Sequence, residues 1–165
     1  MRAGKVDHVE KESSAEPDEN RKYAHFTHSA IFAEVKIDEE LDVTRVTRVV
    51  SAVAAGRILN PKVAGSQILG AVVGGIGMAL HEETATDHRF GRSMTHNLAD
   101  YHVVVHAIDV IFVDKQDEEI NPLGIKSVGE IGIVGTAAAL ANAIYHATGK
   151  RIRDLPITID KLLRK

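Results

Sequence analysis

The sequence predicts an α+β fold, an antiparallel-rich sheet with two helices packed on it. Three observations carry that prediction: a two-residue apolar alternation early in the chain, a four-residue apolar recurrence in the middle, and a second helical stretch near the end. From Phe26 to Ile37, the side chains Ile31, Ala33, Val35 and Ile37 fall on one face and Phe32, Glu34 and Lys36 on the other, the period of a strand. The acidic stretch Asp38 to Asp42 then leads into Val43 to Ala55, dense in valine and threonine, which predicts a hairpin closed by a solvated turn. Asn60 before Pro61 reads as a helix cap followed by a favourable first helical residue. Beyond it, Ile68, Val72, Ile76 and Leu80 form one helical stripe. Gly70, Gly74 and Gly77 share a second stripe, where each glycine costs about 1 kcal/mol relative to alanine, so close packing against that stripe is expected. His81 to Asn97 reads as a loop, Val110 to Val113 as a third strand, and Asp114 to Glu119 as a solvated acidic turn. A loop with glycines at 124, 129 and 132 feeds a second helix, Val134 to Thr148, with Val134, Ala138, Ala141 and Tyr145 along one side and Gly149 as its C-cap.

At 165 residues the chain suits one globular unit, residues 23–165, preceded by a polar, disordered leader over residues 1–22. That leader has no apolar run, so a secretory signal or membrane span is not expected there. The formal charge of -3 arises from 20 basic and 23 acidic residues spread along the chain, without the basic stripe that tracks nucleic acid. The chain has no cysteine, so it holds no disulfide, iron–sulfur cluster or thiolate zinc site of its own.

The stretch Lys126 to Gly132 is the most informative for chemistry. A carboxylate such as Glu130, set among glycines just ahead of a helix, can be aimed at a ligand. It can equally do no more than cap that helix. Other signals are weaker. His96, His102 and His106 allow a three-histidine zinc site, although the valines around the last two favour a strand. His81-Glu82-Glu83-Thr84-Ala85 lacks the second histidine of a zinc-protease helix, and Gly74-Gly75-Ile76-Gly77 falls inside a helix rather than between a strand and a helix.

Lys126-Ser127-Val128-Gly129-Glu130 resembles the K-G-V-G-E motif of the molybdenum hydroxylases, the xanthine dehydrogenase and aldehyde oxidase family. The likeness continues through Phe32-Ala33-Glu34-Val35, Gly56-Arg57-Ile58-Leu59-Asn60-Pro61, Gly65-Ser66-Gln67-Ile68 and Gly74 to Glu83. It resumes at Asn97-Leu98-Ala99-Asp100-Tyr101 and closes with Ala139 to Ala143 and Ala147 to Pro156. These strings resemble the C-terminal part of the family's large, molybdopterin-binding subunit, in order, from about Phe26 onward.

The resemblance implies that Glu130 is a general base in hydroxylation of an aldehyde or N-heterocycle with water, a role that needs a carboxylate tuned by its surroundings. It implies a pterin contact for Gln67, whose amide both donates and accepts, and cofactor binding by Ser127, Val128 and Gly129. The implied cofactor is molybdopterin, with no metal ligand from this chain. The implied partners are the N-terminal part of the subunit and chains carrying iron–sulfur clusters and FAD. A cytoplasmic location is implied, with a periplasmic one open through a partner's signal. Three departures stand out. Ser127 replaces a glycine, the segment His106 to Asp109 is short, and the family subunit is several times longer. The competing expectation is a non-catalytic piece that folds and self-associates through surface its other half would cover.

Overall fold

The computed structural model describes residue 12, residues 24–97, residue 105 and residues 107–163. Apart from residue 12, the leader expected over residues 1–22 lies outside the described residues, as do His102 and His106 of the three-histidine reading.

The alternation read from the sequence becomes β1 (His28–Asp38), whose side chains alternate between exposed and partly buried along its length. It pairs antiparallel with β2 (Val43–Ala54), with a bulge between Glu34 and Val35. Asp38 Oδ1 closes the turn by accepting from the backbone N–H of Glu40 and Leu41, each at 3.1 Å. Asn60 caps α1 (Pro61–Leu80), its Oδ1 accepting from Val63 N at 3.1 Å. Ile68, Val72, Ile76 and Leu80 are all buried, as their spacing requires. They meet Val46, Val49 and Val53 of β2 and Leu140 and Ile144 from the end of the chain in one core.

The loop expected over His81 to Asn97 contains a small antiparallel hairpin, β3 (Thr86–Asp87) with β4 (Arg92–Ser93). The third strand, β5 (Ala107–Phe112), pairs parallel with β2, so the sheet order β1-β2-β5 is mixed rather than antiparallel throughout. A parallel partner needs a long crossover, and α1 lies on that connection.

The second helix starts earlier than its sequence suggests and is broken: α2 (Ile131–Val134), then Gly135, then α3 (Thr136–Thr148). A Cβ on Gly135 would meet Ile31 Cδ1 at 3.2 Å, so the break lies where the chain comes closest to β1. Of the side expected from Val134, Ala138, Ala141 and Tyr145, only Ala141 packs against the core, and the other three are exposed. Val134 is 73% exposed, while Thr136, Leu140 and Ile144 face the core. Gly149 caps α3 in the left-handed region, its N–H donating to Tyr145 O. The apolar tail forms a short helix, α4 (Ile159–Leu163), that buries Leu162.

Of the close helix packing expected at Gly70, Gly74 and Gly77, Gly77 is buried, but the closest approach falls beside Gly70 and Gly74 rather than on them. A Cβ on Gly70 would meet nothing within 4 Å and one on Gly74 only Ile133 at an ordinary 3.6 Å. On Gly75 it would strike Thr136 Cβ at 2.6 Å, and on Gly132 it would lie 2.9 Å from Ala71 Cβ. The helices therefore cross on the face one position over. By length and apolar content α1 would also suit a bilayer. Its apolar stripe is instead spent on this core.

The helices cover one face of the sheet. On the other face Phe32 is 65% exposed and Ile111 51% exposed, with Arg48 and Asp109 paired at 2.6 Å nearby. This outer face mixes exposed apolar side chains with charged ones, Glu34 and Lys36 included.

Candidate functional site

The loop that carries Glu130 is pinned from three directions. Asn121 organises its start: Oδ1 accepts from Leu123 N at 3.1 Å and Ile125 N at 3.3 Å, and Nδ2 donates to Ile125 O at 2.8 Å. The exit of β2 holds the middle. Gly56 bridges Ile125, Arg57 N donates to Gly124 O at 2.8 Å, and Lys126 N donates to Ala55 O at 3.1 Å. The entry to β1 holds the end, through Thr27 Oγ1 donating to Ser127 O at 2.8 Å. Gly56 and Gly124 both adopt positive φ, at 67° and 66°.

Beyond these anchors the chain opens. Glu130 stands at the N-cap position of α2 with φ -95° and ψ -9°, and its side chain makes no capping hydrogen bond. The capping role that competes with a ligand role is therefore not the one its carboxylate performs. It is exposed and lines an open concavity of about 430 Å³ together with His25, Phe26, Ile120, Lys126, Ser127 and Val134. A Cβ on Gly129 would meet nothing within 4 Å. Among the described residues, no hydrogen bond is made by the backbone N–H of Ser127, Val128, Gly129 or Glu130. An open run of donors beside an unpaired carboxylate can bind a ligand rich in oxygen and accept a proton from it.

The structure brings together some of the expected residues and not others. Ser127 and Glu130 share the concavity, while Val128 turns its side chain to the core and offers only its backbone. Gln67 is exposed on α1 and is not part of that lining. It lies one residue before Ile68, whose carbonyl oxygen would be 3.1 Å from a Cβ on Gly132, so its helical turn abuts α2 just past Glu130. His96 accompanies no cluster of three metal-ligating residues among the described residues.

An ion pair that the sequence did not disclose stands behind this wall. Lys126 Nζ lies 2.6 Å from Asp117 Oδ2 and donates to Phe26 O at 3.2 Å, with the Lys126 and Asp117 side chains only 10% and 21% exposed. Asp117 belongs to the acidic turn read as solvated, and here it is partly buried. The Lys126 ammonium, through its hydrogen bond first and its charge next, holds the Asp117 carboxyl below the usual carboxylate range against the opposing effect of burial, with His25 adding to it. A carboxyl depressed in the folded state stabilises the fold above its unfolded pKa of about 4, and that stabilisation is lost as pH falls through the lower folded value. Denaturant midpoints measured from pH 6 down to pH 2 should fall less steeply for Asp117→Asn than for the parent chain. Parallel curves would show that the pair contributes nothing.

The Glu130 loop thus stands at the edge of a mixed sheet covered on one face by helices. The chain belongs to the molybdopterin cofactor-binding domain family, whose model matches residues 3–111. The aldehyde oxidoreductase molybdenum-binding subunit of Escherichia coli is 47% identical over 150 residues, covering 88% of this chain and 20% of that protein. A match of that extent takes in residues 126–130, which lie past the family match. A putative xanthine dehydrogenase molybdenum-binding subunit of the same species is 34% identical over 135 residues, covering 79% of this chain and 18% of its own length. The crystal structure of aldehyde oxidoreductase from Desulfovibrio gigas superposes with a TM-score of 0.73 at 29% identity, over 83% of this chain and 15% of that one. The chain thus spans about a fifth of the length of the curated relatives it matches.

Proposed function

We propose that this chain supplies the general base and part of the cofactor cradle of a molybdenum hydroxylase acting on an aldehyde, with an N-heterocycle as the alternative substrate class. The observation that carries this reading is the Glu130 carboxylate, open to a concavity and free of any capping bond on a loop fixed from three sides. The residues present fit a molybdopterin: unbonded N–H groups from Ser127 to Glu130 suit its oxygen-rich edge, and the exposed Ser127 hydroxyl and Gln67 amide add groups that donate and accept. When bound, the cofactor supplies the centre that takes two electrons from the substrate carbon. Glu130 accepts the proton released as an oxygen derived from water joins that carbon, so an aldehyde C–H becomes the C–OH of an acid. The two electrons then leave through iron–sulfur and flavin carriers on partner chains. The 47% identity to an aldehyde oxidoreductase subunit favours the aldehyde.

Exposed Phe32, Ile111, Leu69, Val73 and Val134 support a partner that covers them. In this reading it is the N-terminal part of the same subunit, in the cytoplasm. Those side chains equally suit self-association of a chain without cofactor, and one measurement separates the two. Molybdenum is determined in the purified chain alone and after co-expression with the remaining subunits. Metal in the co-expressed complex at about one per chain supports the split site. No metal in either preparation leaves the self-associating reading.

A further inference from the structure

Lys126 brings an ammonium to the wall of the concavity that Glu130 lines, four residues away on the same loop. An ammonium and a carboxylate in one shared space attract, and a base held in such a pair is a poorer proton acceptor. The geometry here avoids that outcome. Lys126 Nζ is turned to Asp117 Oδ2 at 2.6 Å and to Phe26 O at 3.2 Å, and Asp117 is not part of the lining. His25 Nδ1 stands 3.9 Å from the same Asp117 oxygen. Asp117, outside the lining, thus takes up the Lys126 charge, and no hydrogen bond or ion pair joins Lys126 to Glu130 among the described residues. Among the described residues, His25 from the segment before β1 and Lys126 from the loop are the titratable groups lining the space with Glu130.

We propose that Asp117 is a positioning residue for Glu130: by retaining the Lys126 ammonium it leaves the Glu130 carboxylate unpaired and free to take a proton. This rests on the reading of Glu130 as the base, and it adds a second carboxylate whose work is done through the lysine. The cofactor plays no part in the pairing, so the arrangement can be tested in the chain by itself.

The test is a carbon-13 NMR titration of the Glu130 carboxyl in the full 165-residue chain. In Asp117→Asn the charge that retains the ammonium is gone, and the Glu130 midpoint should fall by about one pH unit or more relative to the parent. Asp117→Asn with Lys126→Met should return it toward the parent value, because no ammonium remains. Lys126→Met alone should not lower it, since the lysine is already withheld and the Asp117 carboxylate it leaves bare can only push the midpoint up. An unchanged midpoint in Asp117→Asn overturns the proposal, as does a fall that persists in the double variant. Should Asp117→Asn not fold, Asp117→Ser with and without Lys126→Met decides by the same two outcomes. Failure here leaves the kinetics of a Glu130 variant untouched, so it is distinguishable from failure of the proposed base.

Discussion

Glu130→Gln, in the chain assembled with its partner subunits and loaded with molybdenum, is expected to lower kcat by about 10²- to 10⁴-fold, the usual contribution of a positioned general base. Glutamine keeps the volume and much of the hydrogen-bonding capacity of the side chain and removes only its ability to take up a proton. The Glu130 side chain makes no capping bond to α2, so the helix start does not rest on its charge. Molybdenum content and thermal midpoint should therefore match the parent while turnover of an aldehyde collapses. Steady-state kinetics beside metal analysis checks this. A kcat within about threefold of the parent, with metal fully loaded, would remove Glu130 from the chemistry.

Gly56→Ala should be the most damaging single methyl added near the site. Gly56 has φ 67°, and a Cβ built there would lie 2.3 Å from the carbonyl oxygen of Gly124. Backbone on both sides is fixed, by Arg57 N on Gly124 O at 2.8 Å and by the bridge to Ile125. Relief requires the β2 exit and the loop to separate, which breaks those bonds and moves the segment leading to Glu130. With the cost of a left-handed alanine added, a loss of about 2–4 kcal/mol is expected. It would be read as a lower denaturant midpoint at unchanged m-value. The same change placed at Gly65, where a Cβ meets nothing within 4 Å, should cost far less and serves as the control. Equal losses at the two positions would mean that the Gly56 to Gly124 approach is not what holds the loop.

Much of the scaffold was legible because local chemistry and tertiary need agree. The alternation in β1, the Asn60-Pro61 start of α1 and the Gly149 stop of α3 each state their structure within a few residues. The face of α3 was not legible. Val134, Ala138, Ala141 and Tyr145 keep a helical spacing as regular as that of Thr136, Leu140 and Ile144, and close approach at Gly132 to α1 and at Gly135 to β1 accompanies the face that is buried. The direction of β5 was hidden for a related reason, since a run of β-branched residues carries no sign of which way its neighbour runs. At the site, the glycine loop and Glu130 stood out by composition, and the Lys126 motif position was visible as part of the family resemblance. The partial burial of Asp117 was not. One carboxylate in an acidic run looks like its neighbours until the fold sets a cation 2.6 Å from it.

The parallel pairing of β2 with β5 also governs when this molecule can form. The hairpin of β1 and β2 closes locally, but its third strand arrives only after the whole of α1 and the segment beyond it have been made. Closing so long a span is entropically costly, and the packing of α3 on β1 spans still more of the chain, so slow folding is expected. A nascent chain released before residue 107 would carry β2 with one unpaired edge, a template for joining its neighbours in an inclusion body.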